Sequence, residues 1–459
     1  LPILMTSLTT AAGLLSFIPA ALAPISHFGI IGPIGVILAL IYVLVLLPAL
    51  LAVLPSRIPS HDPGRTNTLS QRVLLSTGRL ATRRPAAVLT VWGLLMIGSL
   101  IGIQRIHIGH NMIKWFPLDA PIVSAIDFTN EYFGGAASYE ILVSTGEENG
   151  LHEPEALRRI EALSTYPETA EGGGLTPGKV ISIVDVVKET HRALNENRED
   201  SYVIPDERAL ISQELLLFEN SGSDDVEDLV TSDFSTARLT VRLLFDDAAF
   251  FTPYMETILP EIKRILGPQL DFEITGMYRL IGNTITAALT TMLRSYSTAL
   301  VVITILMVLL IGQVRMGLVA MIPNLAPVIF TLGLMGWLGL PLDMISLMVA
   351  SIVIGLAVDD TIHFMHNFRR EFEATGDVSA AVDHTLISTG QALLFTSCVL
   401  ACGFLVYTQA YMLHLYSFGV TTSAAIVVAF LADVTLAPSL VAVLRKYLIR
   451  PSDRPKQRT

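Results

Sequence analysis

The chain has 459 residues, of which 52% are apolar and only 15% charged. Such a composition exceeds what one soluble core can enclose and marks an α-helical polytopic membrane protein. Its net charge of −11 excludes nucleic acid as a natural partner and disfavours docking on anionic lipid.

Stretches of about 20 apolar residues, long enough to cross a hydrocarbon layer of roughly 30 Å, punctuate the sequence. Two lie within residues 1–54, at 3–22 and 28–54. The first starts at Leu1 with no basic leader and no cleavage site behind it. It therefore reads as a span rather than a signal peptide, and the chain as the C-terminal portion of a longer protein. Residues 55–85 form a linker, with "PSRIPSHDPGRTNT" followed by "LSQRVLLSTGRLATRRP". Apolar residues at helical spacing in the second piece suggest a short helix on the cytoplasmic face. A third span, 86–104, precedes a polar stretch, 105–295, with 31 acidic against 15 basic residues.

That stretch alternates a helix near 122–133, a strand "YEILVS", a helix near 154–164, a strand "TARLTVRLLF", a helix near 253–267 and a strand "DFEITG". In the second strand Leu239, Val241, Leu243 and Phe245 share one face. The expectation is a βαβ domain interrupted by a polar, helix-rich insertion over about 165–232. "EGGGLTPG" within it is expected as a loop, because its glycines lack the lysine and the strand-to-helix setting of a phosphate cradle. Five further spans, 296–313, 317–338, 344–366, 390–412 and 418–444, bring the total to eight, and 445–459 is a basic tail. Cys398 and Cys402, one turn apart, are expected as small core residues.

Basic residues set the orientation. Arg57, Arg65, Arg72, Arg79, Arg83 and Arg84 follow the second span, Arg315 the fourth, Arg369 and Arg370 the sixth, and Arg445, Lys446 and Arg450 the eighth. Those segments are expected in the cytoplasm, and 105–295 on the opposite side.

The sequence also repeats itself. From Met5 it aligns without a gap to the segment from Phe395, pairing Thr6 with Thr396, Ser7 with Ser397, Gly13 with Gly403, Phe28 with Phe418, Gly29 with Gly419 and Pro48 with Pro438. Parallel repeats of this kind build transporters from two similar halves. The chain would then carry the last two spans of a first six-helix half and all six of a second.

One stretch, "GLAVDDTIHF", places two adjacent carboxylates, Asp359 and Asp360, inside a span. An ionised Asp at the centre of a spanning helix costs roughly 2.5–3.5 kcal/mol. The eight stretches hold no Lys or Arg, so at least one carboxyl is expected to carry a proton near neutral pH. A carboxyl that gains its proton from one side and loses it to the other is a coupling element. Gly355, one turn earlier, would permit close helix approach, and Thr396 and Ser397 could hydrogen-bond the carboxyls. Asp433 is a third acid, where the first half has Val43, and His363 and His366 lie on the face of Asp359. Asp-x3-His-x2-His lacks a fourth metal ligand, so no metal is expected. An aspartyl intramembrane protease would need a Gly flanking the acid, and Val358 stands there, so no enzyme is expected.

"LDMISLMVASIVIGLAVDDTIHFMHNFRRE", "TSCVLACGFLVY" and "SFGVTTSAAIVVAFLADVTLAPSLVAVL" resemble the resistance-nodulation-division superfamily. The nearest branch is that of the hydrophobe exporters, which includes mycobacterial lipid transporters and is related to Patched and Dispatched. The resemblance implies twelve spans in two halves, with a ferredoxin-like porter domain after the first span of each. It implies proton-driven export of lipids or other hydrophobic compounds from the inner membrane without a cofactor. Asp359 and Asp360 match the family's relay acids, and Thr396 and Ser397 the polar positions beside them. The partners implied are the hydrophobic substrate, the bilayer and the N-terminal half of the same protein, with a homo-oligomer or periplasmic partner left open. The relay lysine of the drug pumps has no counterpart here. A lipid sensor or assembly scaffold, and an accessory to protein translocation, stand as alternatives.

Overall fold

The computed structural model describes residues 2–20, 23–53, 69–169, 174–220 and 226–448. Arg57, Arg65 and Arg450, and residues 171–173 of the glycine-rich stretch, lie outside these. The chain forms two compact units, a helical one from residues 1–108 and 287–459 and an α/β one from Gly109–Thr286. In chain order the first piece of the helical unit holds α1 (Pro2–Leu15), α2 (Ala23–Ile41), α3 (Leu47–Val53), α4 (Leu69–Arg83) and α5 (Pro85–Ile103). Next come α6 (Pro121–Phe133), β1 (Ala137–Ser144), α7 (Pro154–Thr169), β2 (Pro177–Ile181), α8 (Ile183–Leu194), α9 (Arg208–Asn220), β3 (Thr236–Leu243), α10 (Phe251–Leu266) and β4 (Asp271–Thr275). The remaining helices are α11 (Met277–Ile311), α12 (Val314–Leu338), α13 (Met344–Thr375), α14 (Val378–Thr385), α15 (Gln391–Leu405), α16 (Leu413–Leu431) and α17 (Ala437–Leu448).

Among the described residues seven helical runs are long and apolar enough to cross a membrane. The stretch at 3–22 is not one of them: α1 has 14 residues, about 21 Å at 1.5 Å per residue, short of a hydrocarbon layer of about 30 Å. Its repeat-mate α15 ends at the equivalent residue and reaches spanning length through α14 and a π turn, Leu386–Gly390, ahead of it. α11 starts at Met277, well before the 296 read from hydropathy. Arg279, Asn283 and Arg294 dilute its first half below the apolar threshold while leaving it helical.

The internal repeat is realised element by element. α2 and α16 are each followed by a π turn, Tyr42–Leu46 and Ala432–Leu436, in which Leu47 N–H reaches Tyr42 O and Ala437 N–H reaches Ala432 O. The cause is the paired proline. Pro48 and Pro438 lack the N–H and crowd the carbonyl four residues back, which widens the preceding turn. The paired glycines have an equally local cause. A Cβ on Gly29 would lie 2.8 Å from Ile18 N, and one on Gly419 2.7 Å from Tyr407 Cβ. Each glycine lets the second helix cross directly over the turn that ends the first.

α5 and α12 meet at closer range still. A Cβ on Gly336 would fall 1.8 Å from Gly102 O, and one on Gly333 2.4 Å from Ser99 Cα. The indole of Trp337 donates to Gly98 O at 2.9 Å and lies under the Arg105 guanidinium at 4.2 Å. Small residues at a helix crossing allow this approach in a membrane. α4 directs Leu74, Gly78 and Ala81 inward, with Gly78 against Leu386 and Val382. Its carbonyl at Ala81 accepts from Ser439 at 3.1 Å, and Arg79 pairs with Asp383 at 3.3 Å. The linker helix thus packs one stripe on protein, while Leu69, Val73 and Leu80 remain exposed. Cys398 and Cys402, expected in the core, are exposed on the outer side of α15.

The α/β unit is built on one antiparallel sheet of strand order β2-β3-β1-β4. Alternation in β1 and β3 sends Tyr139, Ile141 and Val143 and Leu239, Val241 and Leu243 to one fully buried face. Leu157, Ile160 and Leu163 of α7 and Tyr254, Ile258 and Ile262 of α10 are buried too. β2 lies inside the stretch expected to be an insertion. Pro177 and Gly178 of the expected loop begin it, which suits an edge strand whose first residue needs no ladder donor. Only α8 and α9 remain as an inserted pair, tied by His191 Nδ1 and Glu214 Oε1 at 2.7 Å, with Glu214 buried. Burial pushes the Tyr139 phenol, 3.3 Å from the Tyr254 hydroxyl, well above its ordinary value.

Candidate functional site

α13 carries the site. Asp343 caps its N-terminus, accepting from Ile345 N–H at 3.1 Å and Ser346 N–H at 2.7 Å, and Gly376 ends it in the left-handed conformation. Between these caps run 32 residues, about 48 Å of helix at 1.5 Å per residue. Asp359 and Asp360 stand at mid-length, half-buried. Consecutive residues on a helix point about 100° apart, so the two acids meet different neighbours. Asp359 Oδ1 accepts from the Thr10 hydroxyl on α1 at 3.2 Å, and Asp360 Oδ2 from the Ser397 hydroxyl on α15 at 3.5 Å. α1 and α15 are the two repeat-related helices, and each offers one hydroxyl to one acid.

Among the described residues no cation pairs with either acid. The arginines further along α13 are engaged elsewhere, Arg369 with Glu373 at 2.6 Å and Arg370 with Glu371 at 3.2 Å. A cavity of about 160 Å³ opens between α1, α11 and α13, and its wall includes Asp359, Thr10, Phe17, Tyr296, Ile303 and Gly355. Its polar lining groups are Asp359 and Thr10, with Thr9, whose hydroxyl donates back to Met5 O and Thr6 O, and Tyr296, whose hydroxyl donates to Leu347 O; the rest is apolar.

Two expectations need correction. Gly355 does not mediate close helix approach: a Cβ there would meet no atom within 4 Å, because the residue borders the cavity. Thr396 does not reach a carboxyl either. It is exposed, and its hydroxyl donates to its own helix, to Leu393 O at 3.0 Å and Ala392 O at 3.1 Å. Ser397 is the member of that pair turned inward. His363, one turn beyond Asp359, is half-buried and hydrogen-bonds none of the three acids among the described residues.

Asp433 comes from a different element and is held by other partners. It lies in the π turn after α16, 1% exposed. The Thr361 hydroxyl is 2.5 Å from Asp433 Oδ1 and 2.6 Å from Asn324 Oδ1 of α12. Thr10, Thr361 and Asn324 were not singled out in the sequence. Asn324 did carry a signal, as an amide in an otherwise apolar span, where polar groups are expensive.

Residues 115–459 match the MMPL family. Among curated relatives, membrane protein MJ1562 of Methanocaldococcus jannaschii is 22% identical over 83% of this chain and 96% of its own length. The probable trehalose monomycolate exporter MmpL3 of Mycobacterium leprae is 24% identical over 49% of this chain and 24% of that protein. The multidrug resistance protein MdtC of Pantoea ananatis is 23% identical over 73% of this chain and 35% of its own. The chain thus spans nearly all of one relative and about a third or less of the other two. Among solved structures, the hedgehog release protein Disp of the water bear Hypsibius dujardini shares the fold, with a TM-score of 0.61 at 12% identity over 96% of this chain and 58% of that one. The chain is a multi-pass membrane protein of the MMPL family, in the resistance-nodulation-division superfamily.

Proposed function

We propose that the chain is part of a proton-driven exporter of lipids or other hydrophobic compounds across or out of the inner membrane. The observation that carries this reading is the Asp359–Asp360 pair. Two acids at the middle of one helix, each hydrogen-bonded to a different repeat-related helix and neither paired with a cation among the described residues, are costly unless used. Protonation of one or both weakens their demand for the Thr10 and Ser397 hydroxyls and biases the packing of α13 between α1 and α15. Moving one charge through 100 mV supplies about 2.3 kcal/mol. The coupling ion is H⁺ in this reading, with no cofactor.

The sheet order β2-β3-β1-β4 with α7 and α10 in its two crossovers supports a ferredoxin-like porter domain. The Arg-rich segments Arg72–Arg84 and Arg369–Arg370 favour placing it outside the cytoplasm, with the C-terminus inside. α1 serves as part of an eighth span. The second six-helix half would then work against a first half of the same protein.

The test is the lipid composition of separated inner and outer membranes from cells carrying the full-length protein, wild type or Asp359→Asn with Asp360→Asn, at equal expression. A lipid class stranded in the inner membrane of the variant is expected. Identical profiles would contradict lipid export and favour efflux of foreign compounds or a sensor.

A further inference from the structure

We propose that Asp433, Thr361 and Asn324 form a second proton-holding site, enclosed in the helical unit beside the Asp359–Asp360 pair and built from other residues. All three are buried, with 1%, 0% and 2% exposure, and they come from three elements: the π turn after α16, α13 and α12. With the Asn324 amide oriented so that Nδ2 faces Met321 Sδ at 3.9 Å and Oδ1 faces Thr361, the protons can be counted. Thr361 Oγ1 lies at hydrogen-bond distance from two oxygens, Asp433 Oδ1 at 2.5 Å and Asn324 Oδ1 at 2.6 Å. A threonine hydroxyl carries one proton, and neither an amide oxygen nor a carboxylate carries any. Two short oxygen–oxygen contacts need two protons, and the second belongs on the Asp433 carboxyl. The chain then runs from Asp433 O–H to Thr361, and from Thr361 O–H to the Asn324 carbonyl.

The same residues can also hold the charged state. When the Asp433 proton leaves to water, the Thr361 hydroxyl turns to donate to the carboxylate, and the Asn324 amide turns to donate Nδ2–H to Thr361. Both hydrogen bonds are kept, one proton is lost, and the direction of donation reverses. A buried acid that keeps its partners in both states is suited to loading and unloading.

The internal repeat argues against a structural role. The first half has the same π turn, Tyr42–Leu46, followed by the equivalent Pro48, yet it places Val43 where Asp433 stands. The turn therefore does not require the acid. Among the described residues Asp360 of α13 acts electrostatically on Asp433, α12 contributes the uncharged Asn324, and α5 contributes Trp92, whose indole donates to Thr435 at 3.0 Å. Arg79 of α4 is held by Asp383. A role for this site in coupling rests on the proton-driven reading, but its occupancy does not.

Infrared difference spectroscopy on the full-length protein reads protonated carboxyls through their C=O stretch, without any transport assay. In the Asp359→Asn, Asp360→Asn background, a buried protonated carboxyl band is expected to remain at neutral pH. It should vanish on adding Asp433→Val, the first-half residue in the same turn, and equally on adding the isosteric Asp433→Asn. It should shift with Thr361→Val and stay in place with Thr361→Ser. A band unchanged by both Asp433 substitutions in folded protein, or no such band at neutral pH, would overturn the proposal. Failure of the export reading would leave this result standing.

Discussion

Two Gly→Ala substitutions on neighbouring helices should move stability in opposite directions. At Gly336 the new Cβ would lie 1.8 Å from Gly102 O and 2.6 Å from Gly102 C. A carbon–oxygen contact relaxes near about 3.3 Å, so the overlap approaches about 1.5 Å against backbone, which cannot rotate away. α5 and α12 must part. Separation of 0.5–1 Å forfeits roughly a quarter to a half of each dispersion contact along the seam. It also strains the Trp337–Gly98 hydrogen bond, worth about 0.5–1.5 kcal/mol. Overpacking of this kind costs about 1–3 kcal/mol, against at most about 1 kcal/mol gained from alanine's helix propensity. The net expectation for Gly336→Ala is a loss of about 2 kcal/mol. Gly355→Ala meets no atom within 4 Å and keeps the propensity gain, up to about 1 kcal/mol. Fluorescence-detected size exclusion after stepwise heating of detergent-solubilised protein reads the sign of each. Equal shifts, or a Gly336→Ala protein as heat-resistant as wild type, would refute the packing reasoning.

Other outcomes follow from single contacts. Burial, and then Arg208, holds the His152 imidazole below its ordinary value. The folded state binds that proton more weakly than the unfolded chain, so its contribution is full above the ordinary histidine value of about 6.5 and is lost as pH falls through the lowered one. Hydrogen-exchange protection around α7, taken relative to the intrinsic rate at each pH, should fall as pH drops towards 5 in wild type and less so in His152→Phe, where a second ring faces Phe234. Thr10→Val removes the hydrogen bond to Asp359 and should slow proton flux about tenfold, at about 1.4 kcal/mol per decade and about 1.5–3 kcal/mol for a charged hydrogen bond. Thr396→Val, whose hydroxyl serves its own helix, should leave flux within twofold of wild type. Comparable flux in all three proteins would remove Thr10 from the site.

Legibility in the sequence followed the range of each interaction. The paired prolines and glycines of the repeat act within one or two turns, and each has a visible local consequence in a π turn or a close crossing. The acids of α13 stood out because burying charge is costly wherever it occurs. What touches them was less legible, because Thr10 and Thr361 are related to Asp359 and Asp433 only through the packing of separate helices. Ser397 and Thr396 are adjacent and chemically alike, and only helix rotation decides that Ser397 faces inward. Gly355 misled for a similar reason: a glycine allows either a close neighbour or a void. β2 was hidden by Pro177 and Gly178, turn-forming residues that also suit the start of an edge strand.

The most direct measurement is proton flux through the full-length protein in liposomes, with a pH gradient imposed, an internal pH dye, and a lipid extract from the native cells added as the source of substrate. The account predicts an extract-dependent flux that disappears in the Asp359→Asn, Asp360→Asn variant while the variant remains folded and inserted. The same extract-dependent flux in both proteins would contradict it.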